Sequence, residues 1–191
     1  MSDLVGVSPR HDPGGLTQFL MLPALAGSAI YGGANGAYRY TLSRTWKLDA
    51  ATVLVVMMNP CIGEERVNDP TLAKVTNMAA HWREGSFGSL LIGNVFAYRT
   101  TNQSDLGAAA DPVGPENDVH LVAMAAMARL VVFAYGESKV ARLRSRGPAL
   151  ARMLLANGAQ PHVLRLSRDG TPRHPLSMPT DTVPVLWHPP P

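Results

Sequence analysis

The hydrophobic and polar positions of the chain switch between strand-like and helix-like patterns from residue 52 onward. Residues 53–58 form a continuous Val-rich apolar run, which is typical of a strand that is covered on both faces. Asp69 and Pro70 suit the cap and first position of a helix, and apolar residues then recur at helical spacing until Gly85. The pattern therefore predicts a strand followed by a helix.

The same alternation continues towards the end of the chain. Further buried strands are predicted at residues 89–96, 130–135 and 162–166, and further helices at residues 117–128 and 140–157. Strands that alternate with helices pair in parallel through right-handed crossovers. The sequence therefore predicts an α/β fold, with a three-layer α/β/α arrangement around a central, mostly parallel sheet.

The two ends of the chain have different patterns. Residues 37–46 alternate apolar and polar side chains, which predicts a half-buried strand at the N-terminal edge of the sheet. Residues 1–35 are rich in Pro, Gly and small side chains and predict an irregular arm with one short helical piece near residues 17–25. Residues 181–191 read as a Pro-rich tail. A single α/β domain is thus expected over residues 36–180.

Composition narrows the class of protein. Of the 191 residues, 46% are hydrophobic, which argues against disorder. No apolar run reaches the ~18 residues of a membrane helix, and no export signal is visible, so we expect a cytoplasmic protein without a membrane partner. The single cysteine, Cys61, excludes an internal disulfide. The histidines lack metal-ligand spacing, so neither a metal nor a cofactor is expected.

The charge pattern has two interpretations. The net charge is +3, and basic residues are densest at Lys139, Arg142, Arg144, Arg146 and Arg152. Such a stretch is either the solvated face of a helix or a patch that binds a nucleotide or nucleic acid.

Polar and small residues follow each predicted strand at its carboxyl end, where ligands bind in parallel sheets. The residues at these strand ends are Asn59 and Pro60, then Asn94, Tyr98 and Arg99, then Gly136, and finally Arg173 and His174. We therefore expect them to converge on one edge of the sheet and to form a site there.

Several short motifs occur in a distinctive order: Asn-Pro after the first strand, Asn-Asp-Pro-Thr, Gly-Asn-Val-Phe-Ala-Tyr-Arg, Tyr-Gly, and Gly-Thr-Pro-Arg-His-Pro-Leu. Together they resemble the bacterial and phage domain-of-unknown-function family 1643 over residues ~37 to 180. The chain departs from the usual family pattern at Cys61 and Ile62, where Ser-Thr is common, and at Asn68, where Asp is common. The resemblance implies no particular activity.

The layout is also similar to that of the uracil-DNA glycosylase superfamily. The matching positions are Asn59-Pro60, Asn94, Gly136 and His174-Pro175, although no Gly follows Pro60 and Leu176 separates Pro175 from the serine. This resemblance implies a glycosylase-like fold in which Asn59 positions a water, Asn94 reads the edge of a base and His174 stabilises charge on the departing base.

Cleavage of an N-glycosidic bond requires a positioned water, a hydrogen-bond donor for the leaving base and a pocket for the nucleoside. The candidate catalytic residues are Asn59, Asp69 and His174, with Asp69 as the nearest carboxylate that could act as a base. The candidate substrate-binding residues are Pro60, Asn94, Tyr98, Arg99, Gly136 and Arg173, with the two arginines as candidates for phosphate.

Three functions remain open from the sequence. The first is an N-glycosidase that acts on a base in DNA or in a free nucleotide. The second is a non-catalytic nucleotide- or nucleic-acid-binding module on the same scaffold, which the lack of a strong base beside Asn59 favours. The third is a hydrolase or transferase with another small substrate. Structural roles compete with each of these, since Asp69 also suits a helix cap and Gly136 a tight turn.

Overall fold

The structure, a computed structural model, describes residues 19–20, 26–61 and 67–191. The strands within these residues are β1 (Phe19–Leu20), β2 (Ala26–Gly32), β3 (Tyr38–Thr45), β4 (Ala51–Met57), β5 (Val67–Asn68), β6 (Phe87–Asn94), β7 (Leu130–Phe133), β8 (Pro161–Val163) and β9 (Val185–Leu186). The helices are α1 (Pro70–His81), α2 (Gln103–Ala108), α3 (Asn117–Met127) and α4 (Arg146–Ala156). Within this part of the chain, no helix is both long and apolar enough to cross a membrane.

Seven of the strands form one mixed sheet in the order β2-β3-β6-β4-β7-β8-β9. The four central strands, β6, β4, β7 and β8, run parallel to one another, and the outer strands pair with them antiparallel. β1 and β5 pair separately as a small antiparallel ribbon. The predicted α/β fold with a parallel centre is therefore confirmed.

Helices cover both faces of the sheet, which explains the continuous apolar run of β4. Val53, Val55 and Met57 pack in the cluster that contains the apolar face of α1. The alternate residues, Leu54 and Val56, pack in the cluster that contains α3 and α4. Burial of each such side chain contributes about 1.5–3 kcal/mol, so both faces of this strand stabilise the fold.

The first crossover helix begins where the sequence predicts. Asp69 caps α1, because one of its carboxylate oxygens accepts a 2.8 Å hydrogen bond from the main-chain amide of Leu72. Pro70 occupies the first turn, where its missing N–H costs no helical hydrogen bond. Such a cap is worth about 1 kcal/mol, and it also fixes the position of Asp69 at the end of the sheet.

The strand predicted at residues 37–46 is present as β3, but the prediction of an edge position is wrong. β2 pairs along its outer side and forms the edge instead. The arginines of β3 are not solvated: Arg39 is 3% and Arg44 is 0% exposed. Asn68 compensates for the burial of Arg44, since its side-chain oxygen accepts hydrogen bonds from Nε at 3.0 Å and Nη2 at 2.9 Å.

The sheet extends beyond the predicted domain limits of residues 36 and 180. β2 lies within the predicted irregular arm, and β9 lies within the predicted Pro-rich tail and pairs with β8. Trp187, which follows β9, is buried with its ring 5.5 Å from that of Phe133. Of the predicted helical piece at residues 17–25, Phe19–Leu20 is a strand and the rest lies outside the described residues.

The order of the strands creates a crevice between β4 and β7. The chain leaves β4 through α1 and returns as β6 on one side of it, whereas β7 lies on the other side of β4 and continues through α4 to β8. The connections after β4 and β7 therefore diverge at their carboxyl ends. In open α/β sheets this is the position at which ligands bind.

Candidate functional site

A cavity of about 290 Å³ opens between the carboxyl ends of β4 and β7. Its wall includes Arg39, Asn59, Asp69, Thr100, Gly136 and His174. We call it the polar cavity. All three residues predicted to be catalytic line it. Asn59 follows β4, Asp69 caps α1 and His174 lies in the loop after β8.

Asn59 fixes one wall of the polar cavity. Its Nδ2 donates hydrogen bonds to the carbonyl oxygen of Thr100 at 2.7 Å and to that of Pro60 at 3.1 Å. Because both partners can only accept, the orientation of the amide is determined, and Oδ1 remains an acceptor. The apolar run of β4 thus ends on an asparagine because this side chain joins the end of β4 to the loop that follows β6.

Asp69 combines a structural contact with an available carboxylate oxygen. One oxygen caps α1 through Leu72, and the other makes no hydrogen bond within the described part of the chain. Its negative charge raises the pKa values of both His174 and Arg39. The carboxylate therefore lies between an imidazole and a guanidinium at the wall of the cavity.

The tautomer of His174 follows from its hydrogen bond. Nδ1 accepts from the main-chain amide of Leu176 at 3.3 Å, so in the neutral ring the proton is on Nε2. Burial lowers the pKa of His174, the charge of Asp69 raises it, and that of Lys74 lowers it, with a net lowering. At neutral pH the imidazole is therefore uncharged and offers Nε2–H as a donor.

Gly136 determines where His174 can lie. Its φ of 72° is in the left-handed region, and its amide donates to the carbonyl oxygen of Pro172 at 2.9 Å. A Cβ at this position would be only 3.1 Å from Cβ of His174. The Tyr-Gly motif after β7 therefore has a physical reason, because a side chain here would displace the imidazole.

Arg39 is a wall residue that the sequence pattern misplaced. The alternation in β3 put it on the solvent side, whereas it lines the polar cavity and is 3% exposed. Burial lowers the pKa of Arg39 to about 10, and the charge of Asp69 raises it. The guanidinium is thus positive at neutral pH, and its buried charge favours an anionic group on any ligand of the cavity.

Asn94 and Pro60 lie next to the polar cavity but not on its wall. Asn94 is 1% exposed, and its Oδ1 is 3.5 Å from Nη2 of Arg39. Its Nδ2 has no hydrogen-bond partner within the described residues. The carbonyl oxygen of Pro60 accepts from the amide of Thr100 at 3.1 Å. Asn94 therefore contacts Arg39, and Pro60 contacts Asn59, but neither residue lines the cavity itself.

The other predicted binding residues lie elsewhere. Arg99 is 1% exposed, donates to the carbonyl oxygen of Gly36 at 3.0 Å and packs against the ring of Tyr31. Tyr98 is half-buried and does not line the polar cavity. Arg173 is exposed, and its main-chain amide donates to Arg165. The cavity thus has Arg39 in its wall, and neither of the two predicted arginines.

Several wall residues were not identified from the sequence: Cys61 as a ligand contact, Thr71, Thr100, Thr101, Gln103, Tyr135 and Glu137. Tyr135 and Glu137 flank Gly136 at the end of a predicted strand, but they were given no role in the predicted site. Gln103 belongs to α2, inside a segment that reads as polar loop, and its Oε1 accepts from the amide of Lys139 at 2.7 Å. Nothing in the sequence pattern indicated that contact.

The basic stretch makes contacts within the chain. Arg144 lies 3.4 Å from a carboxylate oxygen of Glu137 and donates to the carbonyl oxygen of Ser138. Arg146 pairs with Asp118, and Arg152 donates to Pro190. Within the residues that the structure covers, no group of three or more His, Cys, Asp or Glu side chains could hold a metal ion.

Comparison with known protein families matches residues 39–176 to a family described as protein of unknown function, DUF1643. Comparisons with curated proteins and with solved structures gave no match. The matched segment includes all the named wall residues of the polar cavity and more than half of the chain. This chain therefore belongs to the DUF1643 family.

Proposed function

We propose that the polar cavity binds a nucleobase-bearing substrate and that the protein hydrolyses its N-glycosidic bond. One observation carries the proposal: Asn59, Asp69 and His174 line the same cavity of about 290 Å³ at the point where the strand order reverses. The superfamily resemblance implied water-positioning and charge-stabilising roles for Asn59 and His174, and the chemistry of the reaction suggested Asp69 as the base. A cavity of this kind is the usual location of ligands in open α/β sheets.

In the proposed reaction, Asp69 and Asn59 act on the attacking water. The oxygen of the Asp69 carboxylate that does not cap α1 accepts one proton of the water, and Oδ1 of Asn59 accepts a hydrogen bond from the other hydrogen. The water oxygen bonds to the anomeric carbon as the carbon–nitrogen bond breaks, and the bonding electron pair leaves with the base. The proton held by Asp69 then passes to the departing base, so the products are the hydroxylated sugar and the neutral base.

His174 acts on the departing base. The neutral ring keeps its proton on Nε2, since Nδ1 accepts from Leu176. Nε2–H donates a hydrogen bond to an oxygen of the base as negative charge develops there, which is electrostatic stabilisation by a preorganised donor. Arg39 adds a buried positive charge to the same wall and favours a substrate with an anionic group.

A second candidate function is nucleotide binding without catalysis. It is favoured by the structural bonds that these same side chains make: Asp69 caps α1, Asn59 holds Thr100, and Nδ1 of His174 accepts from Leu176. Each group would line the cavity for these reasons even if no reaction occurred there.

Release of free base distinguishes the two functions. We would incubate the protein with DNA that contains uracil or modified bases, and separately with free nucleosides and nucleotides, and separate the released base by chromatography. Asp69→Asn keeps an oxygen for the cap, and His174→Asn keeps an acceptor for the amide of Leu176. Both variants should fold and lose base release by at least ~100-fold.

Matched controls lie outside the cavity. Asp105→Asn on α2 and His81→Asn at the end of α1 change the same residue types without touching the cavity wall. Release that persists in Asp69→Asn and His174→Asn would overturn the proposal. Thermal stabilisation of the wild type by a nucleotide, without release of any base, would establish the second candidate instead.

A further inference from the structure

A second cavity of about 320 Å³ adjoins the polar cavity. Met58, Tyr135, Gly136 and Glu137 line both cavities, and the second also reaches the first turn of α4. The two cavities therefore share part of their wall around Gly136. Neither the family nor the proposed chemistry gives the second cavity a role.

Much of the wall of the second cavity is apolar and aromatic. Its apolar side chains include Met58, Phe96, Leu143, Leu166 and Trp187. Trp187 is only 5% exposed, because the pairing of β9 with β8 holds the preceding residues in the sheet. An apolar cavity of about 150 Å³ is enough to bind benzene in a protein core, so this one has room for an aromatic ring with substituents.

One polar group in this wall lacks a partner. Tyr135 is 6% exposed, and its hydroxyl makes no hydrogen bond within the described part of the chain. Burial raises the pKa of Tyr135, as does the charge of Asp169, so the hydroxyl keeps its proton. It lies 2.8 Å from where a Cβ on Gly147 would be, at the first turn of α4. The hydroxyl is therefore available as a donor to a ligand in the cavity.

The charges in the wall of the second cavity do not favour an anionic ligand. Glu137, Arg144 and Asp169 all line it, and Arg144 is paired with Glu137 at 3.4 Å. The first turn of α4 therefore faces a site that carries no surplus of positive charge. The apolar wall and the unpartnered hydroxyl instead fit a neutral ring that bears a hydrogen-bond acceptor.

We propose that the second cavity is a ring subsite, which binds a neutral aromatic ring and places an acceptor atom of that ring at the hydroxyl of Tyr135. The apolar wall buries the ring of the ligand, and the hydrogen bond from the Tyr135 hydroxyl orients it. Binding of such a ring does not depend on base release in the polar cavity, so the two proposals fail or succeed separately.

Pyridine and benzene are suitable probes, because they share one shape and differ by a single acceptor nitrogen. We would titrate each into the ¹⁵N-labelled full-length protein at mildly alkaline pH and follow the indole N–H signals. Pyridine should shift the signal of Trp187 saturably, while those of Trp46 and Trp82 stay constant because neither residue lines the cavity. Benzene should bind about 5-fold more weakly, as expected for one lost hydrogen bond.

Two variants and one control complete the test. Tyr135→Phe should reduce the affinity for pyridine to that for benzene. Leu166→Trp should fill the cavity and abolish binding of both probes. Leu155→Trp is the control, because Leu155 lies on α4 outside the cavity, and this variant should bind both probes like the wild type. The exposed fractions of the two side chains are similar, 44% for Leu166 and 46% for Leu155. A Trp187 signal that neither probe shifts, or undiminished binding in Leu166→Trp, would overturn the subsite. Equal affinities for the two probes would overturn the role of the hydroxyl.

Discussion

Cβ of His174 lies 3.1 Å from the position that a Cβ on Gly136 would occupy. The turn after β7 and the loop after β8 therefore approach each other closely, and a Cβ at this position would require His174 to shift by a few tenths of an ångström. This contact couples the geometry of the sheet to the orientation of the imidazole. Gly136 also lines both cavities.

Gly136→Ala should destabilise the protein through two separate effects. The left-handed φ of 72° costs an L-residue about 1–2 kcal/mol, and the new methyl group must also push His174 aside. Gly158→Ala is the matched control, because its φ is 89° and no atom lies within 4 Å of the new Cβ. Urea unfolding should show a larger loss for Gly136→Ala, and equal losses would mean that the contact with His174 has no energetic weight.

The stability of the protein should depend on the protonation of His174. Its folded pKa lies below the ordinary value of 6.5, chiefly because of burial, so below that pH the unfolded chain binds more protons. The stabilisation is complete above pH ~6.5 and is lost as the pH falls through the folded pKa. The free energy of unfolding should thus fall over this range in the wild type and fall less in His174→Asn.

The control for this prediction is His81→Asn, which replaces an exposed histidine whose Nδ1 contacts the carbonyl oxygen of Asn77. This variant keeps His174, so it should still show the fall in unfolding free energy that His174→Asn reduces. A wild-type curve that coincides in shape with the curve of His174→Asn would contradict a lowered pKa at His174.

Asp69 should control the titration of His174. The charge of Asp69 raises the pKa of His174, so Asp69→Asn should lower it further, while the cap on Leu72 is kept. An NMR titration of the imidazole signals should show this shift together with the Nε2–H tautomer at neutral pH. Asp105→Asn, at a residue that does not line the cavity, should leave the titration of His174 unchanged. An unshifted titration in Asp69→Asn would show that the carboxylate does not act on the ring.

Much of the fold was predictable because its strongest signals are local. The Val-rich run of β4 is buried on both faces, and Asp69 with Pro70 begins α1 as the pattern indicated. The end-of-strand rule placed Asn59, Gly136 and His174 at one edge, and these three do line one cavity. These features depend on periodicity, caps and parallel pairing, all of which the sequence displays directly.

The buried arginines were not predictable in the same way. Alternation in β3 puts Arg39 on the polar side of the strand, where a charged side chain is normally exposed. The burial of both arginines is accompanied by contacts with amide oxygens from distant segments, that of Asn68 for Arg44 and that of Asn94 for Arg39. Partners separated by 24 residues in sequence leave no periodic signal. The cavity's own guanidinium was missed for this reason.

Asn59 offers the sharpest separation of a structural from a chemical role. Asn59→Ala removes the donors to the carbonyl oxygens of Thr100 and Pro60, at 2.7 and 3.1 Å, and should cost about 1–3 kcal/mol. Asn59→Asp should cost more, because a carboxylate would then face two carbonyl oxygens. Asn157→Asp is the control: its Nδ2 also donates to a carbonyl oxygen, that of Met153 at 2.9 Å, but at an exposed site where water can substitute.

Urea unfolding of the three asparagine variants should therefore rank Asn157→Asp as the most stable, then Asn59→Ala, then Asn59→Asp. The order tests the orientation of the Asn59 amide, on which its proposed contact with water depends. If Asn59→Asp were as stable as the wild type, Nδ2 would not hold the loop, and Oδ1 would have no fixed direction from which to accept a hydrogen bond from the attacking water. The proposed role of Asn59 would then have to be abandoned even if base release were observed.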